Sequence, residues 1–371
     1  MHQRNRQHRH SRLAAPAPRV RISRLPAGCE RGMAPERRIA SVTLAALLLC
    51  PLAGWCGQAL QPARPPSFPH KEYTINVDVN EVVLHATVVD KHGHMVSDLK
   101  QSDFRVFEDG APQTLAHFSH ADIPVTMGIV IDDSGSMRDK RQAVNAAAVA
   151  FVRTSNPQDQ VFVVNFNDVY YLDTPGNFAS SMEDLRSALD KIDSRGGTAL
   201  RDAVIASLDH LKLGNRDKRV LLVVTDGEDN ASRYTQEELL ARAQKSNAVV
   251  YTIGLLGSEE SDGLFRIHGG EAHRAAKALK ELAEATGGGV FFPRSLDEVE
   301  STCRQIAHDI RNQYTLAYRP TNTKKDGSFR NVRVDAFEPN SRTKLIVRTR
   351  PGYFAPKAET PTASLSENNG Q

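Results

Sequence analysis

The sequence predicts an α/β protein: a doubly wound, mostly parallel sheet in the middle of the chain, with a second, smaller β-sandwich-like domain formed by the N- and C-terminal flanks. Three observations carry this. Between residues 123 and 312, short and nearly continuous apolar runs alternate with stretches of helical spacing, the texture of a parallel sheet covered on both faces. On either side, in residues 60–122 and 313–356, short strands follow one another without helices. Neither flank is large enough to bury a core alone, so the two are expected to pair, with the central domain inserted between them.

In chain order, residues 1–59 read as a leader. Ten arginines precede Ile39, opposed only by Glu30 and Glu36. Arg37-Arg38 leads into the apolar run Ile39 to Leu49, followed by Pro51 and the small-residue stretch Ala53 to Ala59. Cleavage is expected after Ala59; a start at Met33 gives the more ordinary leader and leaves residues 1–32 as an over-extended start. Two alternatives stay open. The run could remain as an anchor, although Pro51 and its shortness against the ~20 residues of a membrane span oppose this. Lipid attachment at Cys56 is opposed by the bulk of Trp55. A leader implies an exported protein, whether periplasmic, envelope-associated or secreted.

Removing residues 1–59 leaves 37 basic against 42 acidic residues, so the formal charge of +3 for the whole chain becomes −5. A nucleic-acid partner therefore has no basis in the charge balance. Of the four cysteines only Cys303 lies beyond the leader, which leaves no intrachain disulfide and predicts a core thiol.

The first flank alternates from Tyr73, with Ile75, Val77 and Val79 set against polar neighbours, and continues in the apolar run Val82 to Val89. Turn chemistry appears at Lys91-His92-Gly93 and at Asp109-Gly110, the latter between Phe104-Arg105-Val106-Phe107 and Thr114-Leu115-Ala116. The second flank offers strands at Tyr314 to Tyr318, Asn331 to Phe337 and Lys344 to Arg348, then a polar tail, residues 357–371, expected to be disordered.

In the central domain the strand candidates are Val125 to Ile131, Val161 to Phe166, Val220 to Thr225, Val249 to Gly254 and Val290 to Phe292. Val144, Ala147, Ala148, Phe151 and Val152 form one helical stripe, and Leu200, Val204, Leu208 and Leu211 another. A last helix is expected over Leu296 to Arg311, with Val299, Cys303, Ile306 and Ile310 facing inward. The Gly-rich stretch Ser258 to Glu271 reads as a loop at the functional end of the sheet.

Ligands of such sheets bind at the carboxyl ends of the strands. Three segments fall there: Ile131-Asp132-Asp133-Ser134-Gly135-Ser136-Met137, then Arg195-Gly196-Gly197-Thr198 before a helix, then Val223-Val224-Thr225-Asp226-Gly227. Each alone has a bland alternative: a capped strand-to-helix turn for the serines, an ordinary turn for Asp226-Gly227. Together, Asp132, Ser134, Ser136, Thr198 and Asp226 resemble the metal-ion-dependent adhesion site of von Willebrand factor A and integrin inserted domains. Short oxygen donors suit a hard cation, Mg2+ or Mn2+. The resemblance implies that Ser134 and Ser136 coordinate directly, that Thr198 does so directly or through water, and that Asp132 and Asp226 act mostly through water. It also implies that a Glu or Asp of a protein partner completes the coordination. Asp133, Glu228 and Asp229, acidic neighbours of the motif, are expected to be solvated rather than ligating.

Beyond residue 72 the chain resembles the bacterial VWFA-related domain proteins, through Asp103 to Gly110, which reads Asp-Phe-x-Val-x-Glu-Asp-Gly, and Tyr314 to Tyr318, which reads Tyr-x-Leu-x-Tyr. In the resembling domains ligand binding is coupled to movement of the last helix, here Leu296 to Arg311.

Catalysis is not expected. Asp133-Ser134-Gly135-Ser136 lacks the leading glycine of a serine-hydrolase elbow, and no phosphate-binding loop is present. His92, His94, His117 and His120 in the first flank, and His268 and His273 in a polar loop, raise a zinc alternative, with an exposed turn as the simpler explanation for His92-Gly93-His94. The expectation is a non-enzymatic, metal-dependent binding protein of the cell envelope. Its partner would be a protein presenting a carboxylate, with no small-molecule substrate, and a membrane would be engaged only through an uncleaved leader. The alternative is a structural envelope protein whose metal stabilises the fold or self-association.

Overall fold

The computed structural model describes residues 81–256 and 269–357. The leader, the Tyr73 to Val79 alternation, most of the stretch from Ser258 to Glu271 and nearly all of the tail lie outside them.

The central sheet has six strands: β5 (Val125–Asp132), β6 (Gln160–Phe166), β7 (Tyr170–Leu172), β8 (Lys218–Thr225), β9 (Ala248–Gly254) and β10 (Val290–Phe291). Their order is β10-β9-β8-β5-β6-β7, all neighbours parallel except the antiparallel edge strand β7. Every residue of β5 and β9 is buried, because helices cover both faces. Met127, Ile129 and Ile131 of β5 pack with Val144, Ala147, Ala148 and Phe151 of α1 (Arg141–Thr154), with Leu185 of α2 (Met182–Leu189), and with Val299, Cys303, Ile306 and Ile310 of α6 (Asp297–Arg311). Val130, Phe162 and Leu221 face the other way, toward Leu200, Val204 and Leu208 of α3 (Leu200–His210), Leu239 of α4 (Gln236–Lys245) and Leu279 of α5 (Gly269–Thr286). The period of two in the strands thus sorts one run of apolar residues into two cores. Burial pushes the Cys303 thiol up to about 12, so it is an inert core group.

The flanks form two four-stranded antiparallel sheets. One runs β13 (Ile346–Arg348), β1 (Val82–Val89), β11 (Tyr314–Tyr318), β4 (Leu115–Ser119); the other β14 (Gly352–Phe354), β12 (Phe329–Ala336), β2 (Phe104–Glu108), β3 (Ala111–Gln113). Each sheet mixes strands from both flanks, with β1 on β11 and β2 on β12, and they share one core that includes Leu84, Phe104, Tyr314 and Leu316. The β2–β3 hairpin closes on Asp109 and Gly110, both at positive φ (47° and 86°), the pairing that a two-residue turn between twisted strands requires.

The two motifs that set the flanks apart meet inside this sandwich. The Tyr318 hydroxyl donates to buried Glu108 at 2.8 Å, as does Tyr353 at 2.9 Å. Tyr314 lies tilted against Phe104, ring centroids 5.0 Å apart, and its hydroxyl donates to the Val96 carbonyl.

The end of α6 is fastened on several sides. Asp309 accepts from Arg348 at 2.8 Å, the Ile310 carbonyl from Lys218 at 2.5 Å, and Arg311 reaches Asp122 and the Thr154 carbonyl. Just beyond it, the Gln313 amide donates to both Thr87 of β1 and Tyr251 of β9, joining sandwich and central sheet.

Sequence expectation and structure differ at the margins. Short β7 and β14 and helices α2, α4 and α5 were not singled out by periodicity, and His273 lies in α5 rather than in a loop. His94 is tied to Asp90 at 3.2 Å in an exposed turn, and among the described residues no group of three or more His, Cys, Asp or Glu side chains is arranged to hold a metal.

Candidate metal centre

The chain passes from β5 to β6 on one side and later returns to β8 on the other, so the crevice beyond the carboxyl ends of β5 and β8 is the switch point of the sheet. Asp132 ends β5 and Asp226 follows β8, which delivers both carboxylates to that crevice. Asp132 is fully buried. It accepts from the Ser134 N–H at 2.8 Å and from the Thr225 hydroxyl at 2.5 Å, which fixes its carboxylate between the two strands. Burial, and next the charge of Asp226 beside it, push the Asp132 carboxyl up to about 6, against the pull of those hydrogen bonds.

The serine hydroxyls complete the cluster. Ser136 donates to Asp226 Oδ1 at 2.8 Å, and the Ser134 and Ser136 hydroxyls lie 3.1 Å apart. Ser134 starts a short 3-10 turn, Gly135–Met137, that turns the chain back toward α1. The other oxygen of Asp226 receives the ammonium of buried Lys140.

Thr198 comes on the third segment, which two sets of bonds hold against β5. Asp133 accepts the N–H groups of Asp193 (2.8 Å) and Ser194 (3.1 Å) and the Ser194 hydroxyl (3.0 Å), and the Gly135 N–H donates to the Gly196 carbonyl at 3.3 Å. On the far side Asn230 Oδ1 accepts the Thr198 N–H at 2.8 Å, and Asn230 returns its own N–H to the Thr198 carbonyl. Gly196 has φ +75° and passes so close to Asp168 that a Cβ there would lie 2.0 Å from its carboxylate, so the Gly-Gly pair before Thr198 is a steric requirement. A Cβ on Gly227 would sit 3.9 Å from the Thr198 hydroxyl, which places that oxygen beside the Asp226 loop.

Asp132, Ser134, Ser136 and Asp226 are thus linked at one end of the sheet, with the Thr198 hydroxyl beside the Asp226 loop. The three acidic neighbours have other work. Asp133 is buried, not solvated as the sequence suggested, and anchors the Ser194–Thr198 segment while facing Arg141 at 3.6 Å. Asp229 holds the N–H and guanidinium of Arg201 and the hydroxyl of Ser232. Glu228 takes a two-bond contact from Arg274 of α5 at 2.7 and 2.8 Å, which lowers its pKa below the ordinary range. The motif alone did not reveal Lys140, Asp168 or Asn230. Asp168 and Asn230 are ordinary loop residues in sequence, and Lys140 sits among charged neighbours that give no hint of burial.

The donor set fits a hard divalent cation. It consists of two repelling carboxylates and short hydroxyls, in a cleft that already draws in a positive charge. It contains neither imidazole nor thiolate, so softer metals have no preferred ligand there.

Comparison with known proteins gives partial matches. A 144-residue stretch is 24% identical to an uncharacterized protein of Borreliella burgdorferi, covering 38% of this chain and 39% of that one. A von Willebrand factor type A structure from Catenulispora acidiphila is 16% identical, covers 69% of this chain and 74% of its own, and superposes with a TM-score of 0.43. Proximal thread matrix protein 1 of the mussel byssus, with zinc in its MIDAS motif, is 18% identical over 55% of this chain and 50% of its own, TM-score 0.41. The chain thus spans well under two thirds of the Borreliella and mussel proteins. Residues 127–304 match the family model for the von Willebrand factor type A domain, and they coincide with the six-stranded sheet and its helices. The central part of this chain, residues 127–304, is a von Willebrand factor type A domain.

Proposed function

We propose that the protein is a non-enzymatic, metal-dependent binding protein of the cell envelope, which holds Mg2+ or Mn2+ at Asp132, Ser134, Ser136, Thr198 and Asp226 to dock a carboxylate of a protein partner. Domains of this family are in general adhesion or interaction modules, and Mg2+ supplies a positive centre with an exchangeable position. The observation that carries the reading is the closure of the Ser136 hydroxyl on Asp226 across 90 residues of chain, beside a second buried carboxylate. The Ser134 hydroxyl lies beside that of Ser136, so two hydroxyl oxygens with acceptor capacity stand next to the Asp226 carboxylate. With two carboxylates rather than three or four, the chain does not over-neutralise a bound divalent ion, which leaves room for an acidic group from outside. Export follows from the leader-like residues 1–59, and the acidic balance of the remainder argues against nucleic acid.

The test is calorimetric titration of Mg2+ and Mn2+ into the EDTA-stripped protein, beside Asp132→Ala and Ser134→Ala. Binding in the parent and its loss in both variants is the expected result. A folded parent that takes up neither ion would remove the proposal.

A further inference from the structure

The cleft that would take the divalent ion already has a cation beside it. Lys140 pairs with Asp226, and its side chain is only 5% exposed, that of Asp226 not at all. An ammonium withdrawn this far from water is costly unless an anion faces it. Its place in the chain is unfavourable as well. Lys140 caps the first turn of α1, its carbonyl accepting from Val144 at 3.1 Å, and the free N–H groups of a helix start carry positive partial charge that repels a lysine. What offsets both penalties is the carboxylate of Asp226. Both oxygens of Asp226 are engaged, Oδ1 by Ser136 and Oδ2 by Lys140. A divalent ion that draws on Asp226 must therefore displace the ammonium or share the carboxylate with it.

We propose that Lys140 is a tethered cation that neutralises Asp226 in the metal-free protein and competes there with the divalent ion, weakening metal affinity while strengthening the loaded site's hold on an acidic partner. The inference rests on the metal-docking function proposed above. By formal charge, Asp132, Asp226 and Lys140 together carry one net negative charge, and a divalent ion brings the loaded site to one net positive. Without the lysine the loaded site would be neutral. The ion would be held more tightly, but a carboxylate from outside would find less to bind. Lys140 also gives the metal-free state a counter-charge that offsets part of the repulsion between the two carboxylates.

The test is calorimetric Mg2+ titration of the EDTA-stripped parent, Lys140→Met, Lys140→Gln and the charge-keeping Lys140→Arg, with acetate binding measured on each loaded form. The expected result is Mg2+ affinity at least tenfold tighter in Met and Gln than in the parent, near the parent in Arg, with acetate affinity weaker in Met and Gln. Equal Mg2+ affinity in parent and neutral variants overturns the role of Lys140 and leaves the docking function intact. Binding in the neutral variants but not in the parent supports the lysine's role and removes the docking function. Binding in none overturns both. A neutral variant that is unfolded in EDTA and folds when Mg2+ is added also supports the proposal, because the ion then replaces the missing charge. One that Mg2+ does not rescue contradicts it.

Discussion

Asp133 accepts both the N–H and the hydroxyl of Ser194, at 3.1 and 3.0 Å, and so binds the segment carrying Thr198 to the end of β5. The carboxylate next to the metal-site aspartate is thus a strut for the third arm of the site. Asp133→Ala leaves the N–H groups of Asp193 and Ser194 without their acceptor and removes the carboxylate that faces Arg141. It is expected to cost about 3 kcal/mol in urea unfolding, the range for breaking a buried charged network from one side. Mg2+ affinity should fall as well, since Thr198 loses its anchorage. A variant as stable as the parent would show that Asn230 alone suffices to hold the segment.

The two tyrosines on Glu108 lend themselves to a double-mutant cycle. Both donate to the same oxygen of a buried carboxylate, and burial followed by that carboxylate raises the pKa of both hydroxyls. Tyr318→Phe and Tyr353→Phe should each cost about 1.5–3 kcal/mol, the scale of a hydrogen bond to a charged group. The double variant should cost more than the sum, because Glu108 then has no partner on that oxygen. Strict additivity would mean that the two bonds act independently.

Acid should unsettle the junction between sandwich and sheet at His85. Burial first, then the charges of Lys218 and Arg350, hold this imidazole down to about 3, far below its ordinary 6.5. The folded state therefore binds fewer protons than the unfolded chain between those values, so the contribution of His85 is complete above pH 6.5 and is lost as pH falls toward 3. The stability of His85→Gln, measured from pH 7 down to pH 4, should decline less steeply than that of the parent. Identical slopes would contradict the assignment.

Helix α6 offers a readout of the site at a distance. It packs on α1, which begins beside Lys140, and its far end is bonded to β8, to Asp122 and to Arg348 of the sandwich. Hydrogen exchange of α6 amides is expected to change when Mg2+ and acetate are added together. Unaltered exchange, with metal bound, would mean that occupancy of the cleft is not felt by the sandwich.

Much of this was legible in the sequence because the sheet is buried on both faces. Five apolar runs stand out against helical stripes, and the inward residues of α6, from Val299 to Ile310, appear at helical spacing. The motif was legible for a related reason: Asp132, Ser134 and Ser136 lie within one turn, and Thr198 and Asp226 sit where a helix starts and a strand ends. What escaped depends on contacts remote in sequence. Asp133 reads as solvated until the Asp193–Ser194 segment folds over it, and Lys140 looks like one more surface charge between Asp139 and Arg141 until Asp226, 86 residues away, comes to meet it. Strand β7 has three half-buried residues and only an edge to pair with, too little for periodicity to mark.

The most direct test of the docking site is water-proton relaxation of the Mn2+-loaded protein titrated with acetate and, separately, with acetamide. An open coordination position held by a net positive site predicts that acetate lowers the relaxation enhancement by displacing a bound water, while acetamide at the same concentration does not. An enhancement that neither compound changes, in protein that demonstrably holds Mn2+, would mean that the ion is closed off by the chain and serves the fold rather than a partner.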